Sequence, residues 1–174
     1  MSSRYEEVKE ALRLRPRRWL VTGAAGFIGS HLVEALLKLG QQVVGLDNYA
    51  TGYARNVDEV RRAAGERAAR NLEFIDGDIR SIADCRRACA RVDLVLHHAA
   101  LGSVPRSVED PLASNEVNVT GFVNMLVAAK DILSKNARPT ADDVKLGISG
   151  ILCRCTGYYP ILQAIQEASE GRSA

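Results

Sequence analysis

A glycine-rich turn and the aspartate that follows it are the residues of this sequence best suited to bind a small molecule. The turn reads Gly23-Ala24-Ala25-Gly26-Phe27-Ile28-Gly29. Glycines at this spacing permit a tight turn, and backbone N–H groups can then approach a pyrophosphate at the positive end of the following helix. Asp47 ends the next predicted strand, where its carboxylate can accept hydrogen bonds from an adenosine ribose. The pattern predicts a dinucleotide site, although a glycine-rich turn of an unrelated α/β protein would share this spacing.

The surroundings of Asp47 bear on which dinucleotide would bind. No Lys or Arg follows it until Arg55. A 2′-phosphate would therefore meet a carboxylate without a nearby cation, which favours NAD over NADP. Asp47 could equally be a turn residue before Asn48, because Asp-Asn pairs favour turns on their own account.

Other reactive side chains lie at the ends of the next two predicted strands. Asp78 follows the third strand, at the sheet edge where ligands of open α/β sheets bind, or it caps the next helix. His97 and His98 end the fourth strand and titrate near neutrality. Histidines in such a position are more often hydrogen-bonded scaffold residues, so we assign them no acid or base role.

The four cysteines form two close pairs, Cys85 with Cys89 and Cys153 with Cys155. In a reducing compartment this argues against a disulfide framework and leaves metal binding or plain packing. Cys85 and Cys89 share one face of a predicted helix, where cysteines are usually small buried packing groups.

Apolar runs and helical periodicities predict the elements that position these residues. Strands are predicted at 19–21, 43–46, 72–75 and 92–96, and helices at 5–14, 28–39, 57–69, 82–90 and from about 110 to 129. Continuous apolar strands alternating with helices indicate parallel βαβ units, hence an α/β fold with an incomplete doubly wound sheet of about four strands. The last of these helices would turn five residues inward: Val117, Gly121, Val123, Leu126 and Ala129. No fifth strand is predicted after it, and the remainder indicates a short all-α tail.

Composition bounds the class of protein. With 174 residues, 47% apolar and 25% charged, the chain fits one globular domain. A formal charge of +2 is too small to imply nucleic acid or an anionic membrane as an obligate partner. The uncharged stretch 19–33 is too short for a membrane span and no secretory signal precedes it, so we expect a cytoplasmic protein.

Longer motifs connect residues 1–130 with a known family. They read Val21-Thr22-Gly23-x-x-Gly26-Phe27-Ile28-Gly29, Gly45-Leu46-Asp47-Asn48, Gly77-Asp78-Ile79 and His97-His98-Ala99-Ala100. This set resembles the extended short-chain dehydrogenase/reductase family, which includes NAD-dependent epimerases and dehydratases. The chain is most similar to UDP-N-acetylglucosamine 4-epimerases through Asp47-Asn48-x-Ala50-Thr51-Gly52, Leu101-Gly102-Ser103-Val104-Pro105-Arg106-Ser107 and Asn118-Val119-x-Gly121.

The resemblance implies an NAD-binding Rossmann domain over residues 19–130. The predicted helix 5–14 belongs to a leading extension over residues 1–18, which we expect to take no part in the core. The resemblance places the pyrophosphate at the glycine turn, the ribose at Asp47, the adenine at Asp78 and Ile79, the nicotinamide near Ala99 and Ala100, and the sugar near Ser103. Asn48 and Gly52 belong to the same implied cofactor-binding set.

The family keeps its catalytic parts after a fifth strand: a Ser or Thr, a Tyr-x-x-x-Lys pair and a sugar-binding lobe. We identify none of them in this sequence. Tyr5 and Lys9 have the spacing of the pair, but they precede the first strand and we interpret the match as coincidence. We therefore name no catalytic residue and expect a truncated domain, which would meet a nucleotide sugar only if completed in trans.

Residues 131–174 resemble a different family. The segments Asn136-x-x-Pro139-Thr140 and Leu152-Cys153-Arg154-Cys155-Thr156-Gly157-Tyr158 are similar to the end of the helical [2Fe-2S]-binding domain in small subunits of xanthine dehydrogenases and aldehyde oxidoreductases. The resemblance implies that Cys153 and Cys155 are two of four thiolate ligands, so half a metal site remains and we expect no cluster.

The sequence thus predicts an NAD-binding fragment of a nucleotide-sugar 4-epimerase joined to a partial iron-sulfur domain and inactive alone. Two alternatives stay open. One is an active epimerase completed by a partner chain, and the other is an electron-transfer iron-sulfur subunit.

Overall fold

A computed structural model describes residues 4–133 of the chain, with side chains described through residue 130. The strands are β1 (Arg18–Thr22), β2 (Gln42–Asp47), β3 (Leu72–Asp76) and β4 (Leu94–His97). The helices before β4 are α1 (Arg4–Leu14), α2 (Phe27–Lys38), α3 (Ala54–Ala64), α4 (Glu66–Ala69) and α5 (Ile82–Cys89). Those after it are α6 (Val104–Glu109), α7 (Pro111–Asn115), a π-helical segment (Glu116–Gly121) and α8 (Phe122–Leu133).

The four strands form one parallel sheet in the order β3-β2-β1-β4. Chain order reverses at β1, because the chain moves outward to β3 and then crosses back to place β4 on the other side of β1. This confirms the predicted doubly wound sheet of four strands. The point of reversal lies between β1 and β4, where open α/β sheets bind their ligands at the carboxyl ends of the strands.

Two apolar cores cover the two faces of the sheet. Trp19 and Val21 of β1 join the core beneath α2 and α3, whereas Leu20 between them joins the core beneath α5 and α8. Alternate residues of one strand point to opposite faces, so a strand covered on both sides has a continuous apolar sequence. Cys85 and Cys89 lie in the second core, which is the packing role that their helical spacing favours.

The elements differ from the predicted ones at several places. The predicted helix 57–69 is divided at Gly65, whose positive φ of 83° a continuous helix cannot accommodate. The fourth strand begins at Leu94 rather than at residue 92, because Arg91 adopts a left-handed conformation with φ 58°. The short helix α6 was not predicted, and Ser103 caps it by accepting a hydrogen bond from the Arg106 N–H.

The inward face of the last helix also differs from the prediction. Gly121 is buried as expected, but Val123 and Leu126 are about half exposed, and the deepest residues are Met125 and Ala128. The π-helical segment before α8 adds a residue to one turn and so shifts which side chains face the sheet.

The leading helix α1 is tied to the domain by one buried glutamine. The Gln41 side chain accepts from the Arg17 N–H at 3.0 Å and from Trp19 Nε1 at 3.1 Å. It donates to the carbonyl oxygens of Leu12 and Leu39 at 2.8 and 3.1 Å. The four hydrogen bonds of this fully buried amide therefore join the end of α1 and the start of the sheet to the end of α2.

Among the described helices, none is long and apolar enough to cross a membrane. The proposed tail fragment, residues 131–174, lies outside the described residues apart from the last turn of α8, and its assignment stays a prediction.

Candidate functional site

The glycine turn joins the carboxyl end of β1 to α2 and is pressed against the loop that follows β4. Gly23 has a φ of 68°, and a Cβ placed there would lie 2.9 Å from backbone atoms of His98 and Ala99. A Cβ on Gly29 would lie 2.0 Å from the Gly23 carbonyl oxygen. Only glycine fits either position, so the turn brings the first turn of α2 directly beneath the end of β1.

The start of α2 presents its backbone N–H groups at the carboxyl edge of the sheet. Gly26 is the N-cap and supplies no side-chain acceptor for them. Phe27 and Ile28, the first two residues of the helix, are 80% and 58% exposed. Because the first N–H groups of a helix have no intrahelical acceptor, they are available to an anion such as a pyrophosphate.

Asp47 fastens the glycine turn to the end of β2. Its Oδ2 accepts from the Ala25 N–H at 2.9 Å and its Oδ1 from the Tyr49 N–H at 2.7 Å. The residue is only 8% exposed. The contact with Tyr49 is that of a turn residue, which was one of the two interpretations left open. Each carboxylate oxygen keeps a further lone pair, so these bonds leave room for a ribose hydroxyl.

Ala25 is the point where the glycine turn meets the loop after β2. Its carbonyl oxygen accepts from the Tyr53 N–H at 3.1 Å and from Asn56 Nδ2 at 2.7 Å. A Cβ on Gly52 would lie 2.8 Å from Ala25 atoms, so this loop can approach the turn only with glycine there. Asn56 was not singled out from the sequence, where it lies one residue before the predicted helix 57–69.

Asp78 forms a polar cluster with Asn48 and Arg80. It accepts from Asn48 Nδ2 at 2.8 Å and from Arg80 Nη2 at 2.7 Å. The hydrogen bond from Arg80 is the main reason that the pKa of Asp78 lies below its ordinary value. The N-cap of α5 is Ser81, which accepts from the Asp84 N–H. The capping role considered for Asp78 is therefore taken by Ser81.

Thr22 connects the end of β1 to the end of β4. Its buried Oγ1 accepts from the N–H groups of His98 and Ala99, each at 3.1 Å, and lies 2.8 Å from His97 Nδ1. Two donors occupy the two lone pairs of the hydroxyl, so its hydrogen is left for Nδ1. His97 is therefore the acceptor in this bond and carries its proton on Nε2.

Burial lowers the pKa of His97 to about 4, with a smaller contribution from His98. Burial also lowers the pKa of His98. Both imidazoles are neutral at pH 7, and Nδ1 of His97 is occupied by Thr22. This geometry is that of a scaffold histidine.

The segment after β4 is held by a residue of the π-helical segment. Asn118 accepts from the Leu101 N–H at 2.8 Å and donates to the Leu101 carbonyl oxygen at 2.9 Å. These two bonds fix the chain between Ala100, which is exposed, and Ser103, which is partly buried. In the sequence Asn118 is recognisable only as part of the motif Asn118-Val119-x-Gly121, because its partner Leu101 is brought to it by the fold.

The structure brings most of the sequence-predicted set to one edge of the sheet. The glycine turn, Asp47 and Asn48, Gly52, Asp78 and Ile79, and Ala99 and Ala100 all follow the carboxyl ends of the four strands. Tyr5 and Lys9 are in mutual contact, with the Lys9 Nζ 5.0 Å from the ring centroid, but their helix joins the amino end of β1.

The possible metal ligands are not part of this set. Cys153 and Cys155 lie outside the described residues. Burial raises the pKa of Cys85 to about 11, which disfavours the thiolate that a metal needs. Within the described part of the chain, no three His, Cys, Asp or Glu residues are placed to hold a metal ion.

Comparison with known proteins gives consistent matches over the sheet. The family model for GDP-mannose 4,6 dehydratase matches residues 20–142. UDP-glucuronate 4-epimerase 3 of Arabidopsis thaliana is 37% identical over 139 residues, which are 77% of this chain and 31% of that protein. The match to the family model runs past residue 130, the predicted end of the Rossmann domain.

Solved structures with the same architecture include two epimerases. The UDP-glucose 4-epimerase of Thermus thermophilus, solved in complex with NAD, matches with a TM-score of 0.56 and 42% identity over 66% of this chain and 34% of that one. An epimerase of Methanothermobacter thermautotrophicus matches with a TM-score of 0.64 and 32% identity over 75% of this chain and 37% of that one. The chain therefore spans about a third of the length of the relatives that it matches.

Proposed function

Starting from the fact that the chain belongs to the GDP-mannose 4,6 dehydratase family of nucleotide-sugar epimerases and dehydratases, we propose that it binds NAD at the carboxyl edge of its sheet. It would act as the cofactor-binding part of a nucleotide-sugar 4-epimerase. Bound NAD would supply the hydride acceptor and donor, while the residues described below hold the cofactor.

One observation carries the proposal: Asp47 joins the anion-accepting start of α2 to the end of β2 in a single buried unit. Its carboxylate holds the glycine turn through Ala25, 2.9 Å away. The pyrophosphate and ribose of a dinucleotide need donors from the turn and acceptors from the strand end at a fixed separation. The hydrogen bond between the Asp47 carboxylate and the turn holds the donors and acceptors at a fixed separation before the ligand binds.

The charges around Asp47 favour NAD over NADP. Arg55 stacks on the Tyr53 ring, with its guanidinium carbon 4.5 Å from the centroid. Arg80 is paired with Asp78 and Glu116. Each of these cations is engaged elsewhere, so a 2′-phosphate would meet the Asp47 carboxylate without a ready counter-ion.

The remaining assignments follow from the family resemblance. We propose that Asn48, Asp78 and Ile79 line the adenine, that Gly52 lets its loop close on the turn, and that Ala99 and Ala100 lie beside the nicotinamide. Ile79 is almost fully buried beneath Gly121, so its backbone rather than its side chain would face the ring. Ser103 would lie at the rim of the sugar pocket.

We propose that a nucleotide sugar, with UDP-N-acetylglucosamine as the predicted example, binds only when the later parts of the family fold are supplied. Within the described residues β4 pairs with β1 alone, so its other edge is where a further strand would add. The sugar-binding lobe would be reached from that side.

The test is calorimetric titration of the chain with NAD and with NADP. We expect NAD to bind more tightly, and Asp47→Asn to weaken NAD binding by about 1 to 3 kcal/mol, because one ribose acceptor becomes a donor. Asp58→Asn on the exposed face of α3 is the matched control and should change nothing. Equal or tighter binding of NADP would show that the ribose assignment is wrong, provided that circular dichroism finds the Asp47→Asn variant folded.

A further inference from the structure

A surface cavity of about 310 Å³ lies at the amino edge of the sheet, opposite the glycine turn. It is lined by Pro16, Arg17, Arg18, Gln42, Arg91 and Asp93. These residues start, or directly precede, β1, β2 and β4. A five-residue strand is about 16 Å long, so this cavity and the proposed dinucleotide site are separated by the full length of β1.

The cavity has more positive charge than its own carboxylates neutralise. Arg17 and Arg91 form no ion pair with any described residue, and Arg18 pairs through Nη2 with Glu73. The one carboxylate in the lining is Asp93, and its Oδ2 already accepts from the Arg18 backbone N–H at 2.8 Å.

Beside the cavity, one buried donor has no protein acceptor. Arg18 Nε is buried and forms no hydrogen bond within the described structure. A buried donor without a partner costs on the order of a lost hydrogen bond, and such groups in native proteins usually have a water or ion as partner. Because this Nε is shielded from solvent, the unpaired positive charge that a ligand in the cavity would meet comes from Arg17 and Arg91.

Arg91 occupies a backbone position that favours glycine. Its φ is 58°, in the left-handed region, where an arginine side chain gains nothing from local hydrogen bonding. The residue in this unfavourable conformation is an arginine that lines the cavity.

We propose that this cavity binds a small phosphate monoester. Guanidinium groups match phosphate oxygens in geometry and charge, and three arginines line the site, two of them without an ion pair among the described residues. The volume is at the lower end of the range for small-molecule sites, which suits a phosphate bearing a short organic group. Gln42 and Asp93 supply an amide and a carboxylate for the hydroxyl groups of that part.

The experiment is a titration of the full ¹⁵N-labelled chain with glycerol 3-phosphate, followed by two-dimensional NMR. We expect the shifts to concentrate at the amides of Arg17, Arg18 and Arg91. Arg91→Gly should weaken binding at least tenfold while leaving the unfolding midpoint unchanged or higher, because glycine relieves the left-handed conformation. Arg17→Gln is the second variant and should also weaken binding, whereas Arg62→Gln on the exposed face of α3 is the charge-matched control.

Three outcomes would overturn the proposal. Shifts at residues 23–29 instead would place the anion at the glycine turn. Binding that survives both arginine substitutions would mean a nonspecific charge effect. A single-stranded oligonucleotide that binds through Arg91 when glycerol 3-phosphate does not would identify a nucleic-acid surface instead.

Discussion

At the scale of single residues, two short polar side chains hold the site together. Asp47 joins the glycine turn to β2 through the Ala25 N–H. Thr22 joins β1 to the end of β4 through one hydrogen bond and to the loop after it through two. Both residues are buried, so water cannot replace them as hydrogen-bond partners of these backbone groups. The binding edge is therefore preformed before any ligand arrives.

His97 makes this arrangement sensitive to pH. Its pKa of about 4 in the folded chain lies below the ordinary value near 6.5, so the unfolded chain takes up the proton first as the pH falls. Stability is full above about pH 6.5 and is lost as the pH falls toward 4. Protonated Nδ1 would also face the Thr22 hydroxyl hydrogen, which breaks that bond.

We expect the free energy of unfolding to fall by about 1 to 2 kcal/mol between pH 6.5 and 5, since one pKa unit corresponds to about 1.4 kcal/mol. Urea unfolding across this range measures the loss. His97→Gln should flatten the dependence, leaving the smaller contribution of His98. His31→Gln, at an exposed histidine, is the control that should retain the wild-type slope. A slope unchanged in His97→Gln would contradict the buried, neutral assignment.

At the scale of elements, α1 is part of the folded unit. The sequence suggested an extension with no part in the core, yet Leu12 packs against the core beneath α2. The link between α1 and the sheet is Gln41, which also orients the single tryptophan, Trp19.

Gln41→Leu tests this link. The substitution leaves the Arg17 N–H and Trp19 Nε1 without their acceptor, so we expect a loss of about 1 to 3 kcal/mol in unfolding free energy. Far-UV circular dichroism in urea measures it, and limited trypsin digestion should show faster cleavage at Arg13 or Arg15. Gln42→Leu, at the exposed neighbouring position, should cost under about 0.5 kcal/mol. Equal stability of the two variants would mean that α1 is not anchored through this amide.

At the scale of the whole molecule, the chain matches about a third of each relative's length, over the part that carries the glycine turn. Epimerisation of a sugar needs a general base beside the reacting hydroxyl, and such a group typically increases the reaction rate by about 10² to 10⁴-fold. The candidates in the described region are poorly placed, because His97 is hydrogen-bonded to Thr22 and the helix of Tyr5 and Lys9 joins the opposite edge of the sheet.

We therefore expect the chain, assayed alone with NAD, to give no detectable epimerisation of UDP-N-acetylglucosamine or UDP-glucose. A coupled assay on homogeneous protein measures this, with a mock purification to exclude host epimerase. Turnover that survives that control and disappears in Tyr5→Phe would show that the pair on α1 is catalytic after all. Turnover unaffected by Tyr5→Phe would equally contradict the expectation and direct the search to residues 134–174.

What the sequence determined by itself is local in origin. The spacing Gly23, Gly26 and Gly29 after an apolar run specifies a turn between strand and helix, and continuous apolar strands specify a sheet buried on both faces. These features depend on backbone sterics and on the burial of neighbouring residues, so a parallel sheet of about four strands and the edge that carries Asp47 and Asp78 could be inferred in advance.

What the tertiary structure decided are the contacts between residues distant in the chain. Gln41 meets Leu12, Thr22 meets His98, and Arg18 meets Asp93 only after the sheet has formed. Which residues of α8 face the sheet likewise depends on the π-helical segment before it. The sequence has no periodic pattern that predicts this segment. Hydrogen bonds across 29 to 76 residues have no signature in local spacing, because the fold alone brings their partners together.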